Sequence, residues 1–146
     1  MGLTEAVGAG PIALDTAIFI YLIEEHPTYL PAVRPLFAGA DRGKLEIVTS
    51  AITLLEVLVV PYWAGNLPVA ARYEDLLTRS RGVRLIDIDR AQLRAAAQLR
   101  AVHGVRAPDA LRLAAALTAR CTVFVTNGRR LPPLPGLRVV QLAEFA

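Results

Sequence analysis

The chain is 146 residues long, a length at which one domain closes its own core without disulfides or a structural metal. Apolar residues make up 54% of it and charged residues 20%, which excludes an intrinsically disordered segment, and a single cysteine, Cys121, excludes both a disulfide framework and a cysteine zinc site. The net charge of +3 comes from fifteen arginines and one lysine, Lys44, against thirteen acids; arginine forks suit phosphate, but so modest a balance does not by itself select a nucleic-acid partner.

In chain order, the apolar run at 11–15 reads as a buried strand with Asp15 at its carboxyl end, and a helical stretch follows to about Glu25. His26-Pro27 breaks that helix; a second covers about 28–42 and closes at Gly43, before a β-rich run at 45–49. Ser50 is placed to cap a helix over 51–60 that Pro61 stops. After a turn at Gly65 and Pro68 comes a helix to about Arg79, then a third strand at 83–86. Asp89 is the N-cap of a long Ala/Leu/Arg helix ending near Gly104, and Pro108 opens another at its first position, running to about Arg120. Two last strands, 122–126 and 137–142, flank a turn segment containing Gly128, Pro132, Pro133, Pro135 and Gly136. Strands alternating with helices predict a single three-layer α/β/α domain over 1–146, with a mainly parallel sheet of about five strands and right-handed crossovers.

The most apolar stretches, 11–23 and 47–60, contain Asp15 and Glu56 and fall short of the roughly 20 clean apolar residues a bilayer span needs. The start of the chain has neither a basic n-region nor an apolar h-region, so a soluble protein of the reducing cytoplasm is expected. Cys121, among Ala119, Val123 and Phe124, is expected to be a buried structural thiol.

In open parallel sheets, ligands collect outside the carboxyl ends of the strands, which draws attention to Asp15, Glu56, Asp109 and the pair Thr126-Asn127. Each has an ordinary explanation. Asp15 can be an N-cap; Glu56, whose neighbours at i±3 and i±4 are all uncharged, can face solvent; Asp109 can meet the helix dipole and pair with Arg112; Asn127-Gly128 can be a turn. Convergence changes their meaning, because three carboxylates brought together repel one another unless a cation holds them. Oxygen ligands without His or Cys suit Mg2+ or Mn2+.

Four short motifs occur in a characteristic order: Ile-Ala-Leu-Asp15-Thr-Ala, Ser50-x-x-Thr53-x-x-Glu56, Pro108-Asp109-Ala-Leu-x-Leu-Ala-Ala-Ala, and Val-Thr126-Asn127-Gly128 followed by Arg129-Arg130-Leu131. With them the chain resembles, over nearly its whole length, a PIN domain of the VapC kind, the toxin ribonucleases of prokaryotic toxin–antitoxin pairs. The resemblance implies that Asp15, Glu56 and Asp109 form a catalytic Mg2+ or Mn2+ site, with Thr126 and Asn127 lining the pocket. It implies endonucleolytic hydrolysis of RNA to 5′-phosphate and 3′-hydroxyl ends, a bound ion polarising the scissile phosphate and activating water. It further implies a cognate antitoxin whose tail covers the pocket, and a homodimer. The chain departs from the family at Gly128, where members commonly carry a fourth acid. A catalytically weak PIN-like module that binds RNA or protein is therefore the alternative.

Arg106, Arg112, Arg129 and Arg130 lie beside the acidic motifs in sequence, so a basic, RNA-binding rim around the acidic centre is expected. His26 and His103 are expected to be structural, and Tyr62 and Trp63, if exposed, to serve an interface. A receiver-type phosphoacceptor domain would need a late lysine, and the only lysine is Lys44; a dehalogenase-like phosphatase would need an acid where Ala17 stands.

Overall fold

The computed structural model describes residues 2–146. Five strands, β1 (Ile12–Leu14), β2 (Ile47–Ser50), β3 (Val83–Ile86), β4 (Val123–Thr126) and β5 (Arg138–Gln141), form one sheet in the order β3-β2-β1-β4-β5. Every neighbouring pair is parallel, with Ala13 level with Val48 on one side and Phe124 on the other. The strands β1, β2 and β4 are buried at every position, as expected of parallel strands covered on both faces.

Alternation along those strands divides the core. Ile12, Leu14, Ile47, Val123 and Val125 face one layer, and Ala13, Val48 and Phe124 face the other. The first layer holds α1 (Leu3–Val7), α2 (Thr16–Ile23), α3 (Leu30–Asp41), α4 (Ile52–Trp63) and α5 (Leu67–Arg79), which contribute Val7, Phe19, Leu36, Val57 and Leu77. The second holds α6 (Arg90–His103) and α7 (Ala107–Thr118). Leu113 and Ala116 of α7 meet Phe124 there, and Gln92 of α6 donates to Thr118 Oγ1 at 2.6 Å.

Local chemistry sets most boundaries. Asp89 accepts from Gln92 N at 2.9 Å to start α6, and Gly104, at φ +69°, ends it in a left-handed cap. Gly82 is required where β3 begins: its φ is +78°, and a Cβ there would stand 2.4 Å from the Ala40 carbonyl oxygen.

Several expectations need correction. Pro61 does not stop α4, which continues to Trp63. Proline removes one helical hydrogen bond, but the next turn is held by Ala64 N to Val60 O (3.0 Å) and Asn66 N to Pro61 O (2.8 Å), and Pro61 is buried. Ser50 lies in β2; Ala51 takes the cap position without a side-chain bond, while Ser50 Oγ accepts from Ile52 N at 3.3 Å. Pro108 is the second residue of α7, after Ala107. The last strand ends at Gln141, and residues Leu142–Phe145 form a short 3-10 helix that buries Leu142. The helix α1 was not expected at all; it is tied down by Leu3 and Val7, one turn apart and both buried. Among the described residues no helix is long and apolar enough to cross a membrane.

Candidate active site

The carboxyl ends of β1 and β4 and the first turns of α2, α4 and α7 meet at one point. Asp15 is the last residue before α2. Its backbone N–H donates to Val125 O (2.9 Å), and its side chain, 5% exposed, caps α2 by accepting from Thr16 N at 2.7 Å. The Thr126 hydroxyl, fully buried at the end of β4, donates to the other oxygen, Oδ2, at 2.7 Å.

Glu56 reaches the same place from α4. Its Oε1 accepts from Thr16 Oγ1 at 2.7 Å, and Thr16 continues through Thr53 (3.1 Å) to Thr49 (2.8 Å), a line of hydroxyls that holds the first turn of α4 against the ends of β1 and β2. Asp109 comes from the first turn of α7.

At the centre of the three acids lies Arg112. Its Nη1 pairs with Glu56 Oε1, its Nη2 with Asp109 Oδ1 at 2.9 Å, and its Nε faces Asp15 Oδ1 at 3.3 Å. The side chain is 1% exposed, and Nη1 also donates to Thr16 Oγ1 at 3.0 Å. The expected position of Arg112 on a solvent-facing rim is therefore corrected: it is an interior cation. In α7, Asp109, Ala110 and every residue from Leu113 to Ala116 are buried as well, so Arg112 sits among interior positions, which the sequence of this nearly all-apolar helix does not show.

Arg129 closes the site from the β4–β5 connection. Its Nη1 donates to Asp109 Oδ2 at 3.0 Å and its Nε stands 3.4 Å from Asp15 Oδ2. Gly128 makes this possible at φ +83°: its N–H donates to Gln141 Oε1 at 2.8 Å, while Gln141 Nε2 donates to the Arg129 carbonyl at 3.0 Å. Three carboxylates and two guanidinium groups leave one formal negative charge. Thr16, at the start of α2, and Thr49 and Gln141, near the ends of β2 and β5, carry no distinguishing sequence signal, since threonine and glutamine are ordinary at such positions.

Asn127 follows Thr126, and its Nδ2 donates to Tyr21 Oη at 2.9 Å; among the described residues it makes no hydrogen bond to the three acids. Arg106 and Arg130 are exposed and, with His103, line an open groove of about 420 Å3 that reaches Asp109. His26 is a local brace whose Nδ1 accepts from Thr28 N and Tyr29 N at 3.1 and 3.3 Å. On the Glu56 side an apolar cavity of about 440 Å3 opens between α2, α4 and α5, lined by Ile20, Ile23, Val57, Val60 and Tyr73. Beside it Leu55, Val59, Val60, Tyr62, Trp63 and Leu67 are exposed, Trp63 at 86%.

The donor set, carboxylates and hydroxyls with no imidazole or thiolate, fits a hard divalent ion such as Mg2+ or Mn2+. The spacing is that of a guanidinium cage, and among the described residues no cluster of three acidic, histidine or cysteine side chains stands at metal-holding distance.

Comparison with known proteins gives a consistent result. Residues 12–137 match the family model of the PIN domain. No curated protein matches the chain. Among solved structures, a toxin–antitoxin complex from Klebsiella pneumoniae is similar at 26% identity, covering 90% of this chain and 97% of that one, with a TM-score of 0.65. VapBC2 from Rickettsia felis, bound to promoter DNA, is 20% identical over 90% and 98% of the two chains at a TM-score of 0.67. VapC20 from Mycobacterium tuberculosis, described as a sarcin–ricin loop cleaving toxin, is 16% identical over 77% and 86% at 0.62. At the last two identities the likeness is one of fold alone.

Proposed function

Because this chain belongs to the PIN domain family, we propose that its acidic pocket is the active site of a divalent-metal-dependent endoribonuclease, the toxin of a toxin–antitoxin pair. The observation that carries the reading is the meeting of Asp15, Glu56 and Asp109, from three separate parts of the chain, at the carboxyl edge of the sheet. Acids so far apart in sequence are costly to gather in a mostly buried site unless cations pair with them, and their position outside the carboxyl ends of the strands, where ligands collect, favours a site over a purely structural ion-pair cluster.

In this reading Asp15, Glu56 and Asp109 would hold the ion, Mg2+ or Mn2+. When bound, the ion supplies Lewis-acid polarisation of a phosphodiester and lowers the pKa of water. The protein's own residues do the rest. Thr126 and Thr16 fix the orientation of Asp15 and Glu56 through hydroxyl hydrogen bonds. Exposed Arg106 and Arg130, along the groove that ends at Asp109, draw the RNA backbone toward the acids and screen its charge. Arg129, paired to two of the acids, stands between that rim and the pocket. In this reading water, and not the RNA's own 2′-hydroxyl, attacks phosphorus and the bond to the 3′ oxygen breaks, so the products carry 5′-phosphate and 3′-hydroxyl ends.

The exposed apolar surface of α4 and the start of α5, next to the cavity that reaches Glu56, supports a protein partner, in this reading the cognate antitoxin. A homodimer acting in the cytoplasm completes the proposal. The test is to incubate the purified chain with total RNA in Mg2+ and in chelator and to determine the end groups of the products. Cleavage in Mg2+ alone with 5′-phosphate ends is expected; 2′,3′-cyclic ends, or equal cleavage in chelator, would refute it.

One observation favours the second reading, a weakly catalytic RNA- or protein-binding module: Gly128 offers no carboxylate, and Arg129 beside it is turned onto the acids. Gly128→Asp separates the two. Among the described residues nothing lies within 4 Å of where its Cβ would be, and aspartate tolerates a positive φ better than most residues. A rise in cleavage or Mn2+ affinity indicates a missing fourth ligand; no change in either places the position outside the metal site.

A further inference from the structure

The site already contains a cation. We infer that Arg112 is a resident counter-ion which competes with the divalent ion for the same three carboxylates, so that the pocket is latched shut electrostatically until metal displaces the guanidinium. The inference rests on the metal-site reading above and adds what that reading lacks, a reason for an arginine at its centre.

Each acid commits one oxygen to Arg112: Asp15 Oδ1, Glu56 Oε1 and Asp109 Oδ1 face Nε, Nη1 and Nη2 respectively. The outer oxygens of Asp15 and Asp109 are taken by Arg129. An ion drawing on all three acids must bind oxygens that arginine now holds, and it must do so at about 2.0–2.1 Å for Mg2+. A second cation in the same dry volume repels the first strongly, because the interior screens poorly. The two occupants are therefore alternatives rather than partners.

The guanidinium's fit also points to charge rather than ideal bonding as what keeps it there. Its Nε is buried and, among the described residues, without a hydrogen-bond partner although an acid lies 3.3 Å away. An N–H left in that state is costly; a cation surrounded by three carboxylates is retained despite it. Since Arg112 stands three residues after Asp109 on one helix, the competitor accompanies the ligand and cannot be diluted away. Only metal concentration, or a partner that draws the guanidinium out, unlatches the site.

The experiment measures Mn2+ binding to the full chain by calorimetry, together with thermal unfolding in chelator and in Mn2+, for the wild type, Arg112→Gln and Arg112→Lys. Removing a unit charge a few ångströms from the ion should tighten Mn2+ binding at least about tenfold in Arg112→Gln. Arg112→Lys, which keeps the charge but loses the three-way fork, should fall between. In Arg112→Gln the midpoint in chelator should drop and Mn2+ should restore more of it than it adds to the wild type. If this variant unfolds in chelator, recovery of native circular dichroism on adding Mn2+ is expected. Failure to fold at saturating Mn2+ would overturn the inference, since the ion could not then take the guanidinium's place. Wild-type binding with no gain in Arg112→Gln would overturn it alone, whereas no Mn2+ binding by either protein would overturn the metal-site reading as well.

Discussion

Replacing Arg112 by Met in metal-free protein removes a cation and leaves an apolar stem of similar reach. The wild-type side chain is 1% exposed and pairs with side chains of Asp15, Asp109 and Glu56 that are 5%, 11% and 29% exposed. Breaking a buried pair from one side costs roughly 3–5 kcal/mol, because the remaining charge is left uncompensated. Here three carboxylates lose their shared partner, but Arg129 still reaches two of them, which places the cost near the lower end, about 3 kcal/mol. For a chain of this size that corresponds to a fall in midpoint of roughly 10 °C. Urea unfolding in chelator, followed by circular dichroism, measures it. A double cycle with Asp109→Asn should be less than additive by more than about 1 kcal/mol, since the two changes remove one interaction. A loss below about 1 kcal/mol, or strict additivity, would show that Arg112 is not the counter-ion that gathers the acids.

Gly82→Ala should cost at least about 2 kcal/mol, adding a left-handed backbone penalty to a clash with the Ala40 carbonyl. Gly65→Ala, at φ +68° with no described atom within 4 Å of its Cβ, should cost only about 1 kcal/mol; equal losses in urea titrations would contradict the steric argument. Burial pushes the Cys121 thiol up to about 12, with Glu46 adding to the effect. The buried thiol therefore contributes stability that is complete below its unfolded value of 9.0 and is lost as pH rises toward about 12. Cys121→Ala should lose less stability across that interval, and the native thiol should resist alkylation at pH 8 until the chain is unfolded.

The sheet is legible in the sequence because β1, β2 and β4 are largely apolar on both faces and run into a polar residue that does something: Asp15 just after β1, Ser50 at the end of β2 and Thr126 at the end of β4. Asp15 turned out to serve at once as the N-cap its sequence suggested and as a member of the acidic cluster. What resisted reading was long-range pairing. The helical neighbours of Glu56 offer it no charged partner; Arg112 supplies one from 56 residues away, on the other layer of the sandwich. Convergence of three acids did call for a cation; that the chain carries its own depends on side-chain direction in α7, which no periodicity in a nearly all-apolar helix reveals. Pro61 misled for a related reason, since a proline ends a helix only where nothing else holds the following turn.

The account stands most directly on one comparison: single-turnover cleavage of RNA in Mg2+ by the wild type and by Asp109→Asn, a change that keeps the shape of the side chain and removes its charge. The account predicts that cleavage by the wild type is lost in the variant while the fold, judged by circular dichroism, is retained. Undiminished cleavage by folded Asp109→Asn would contradict it.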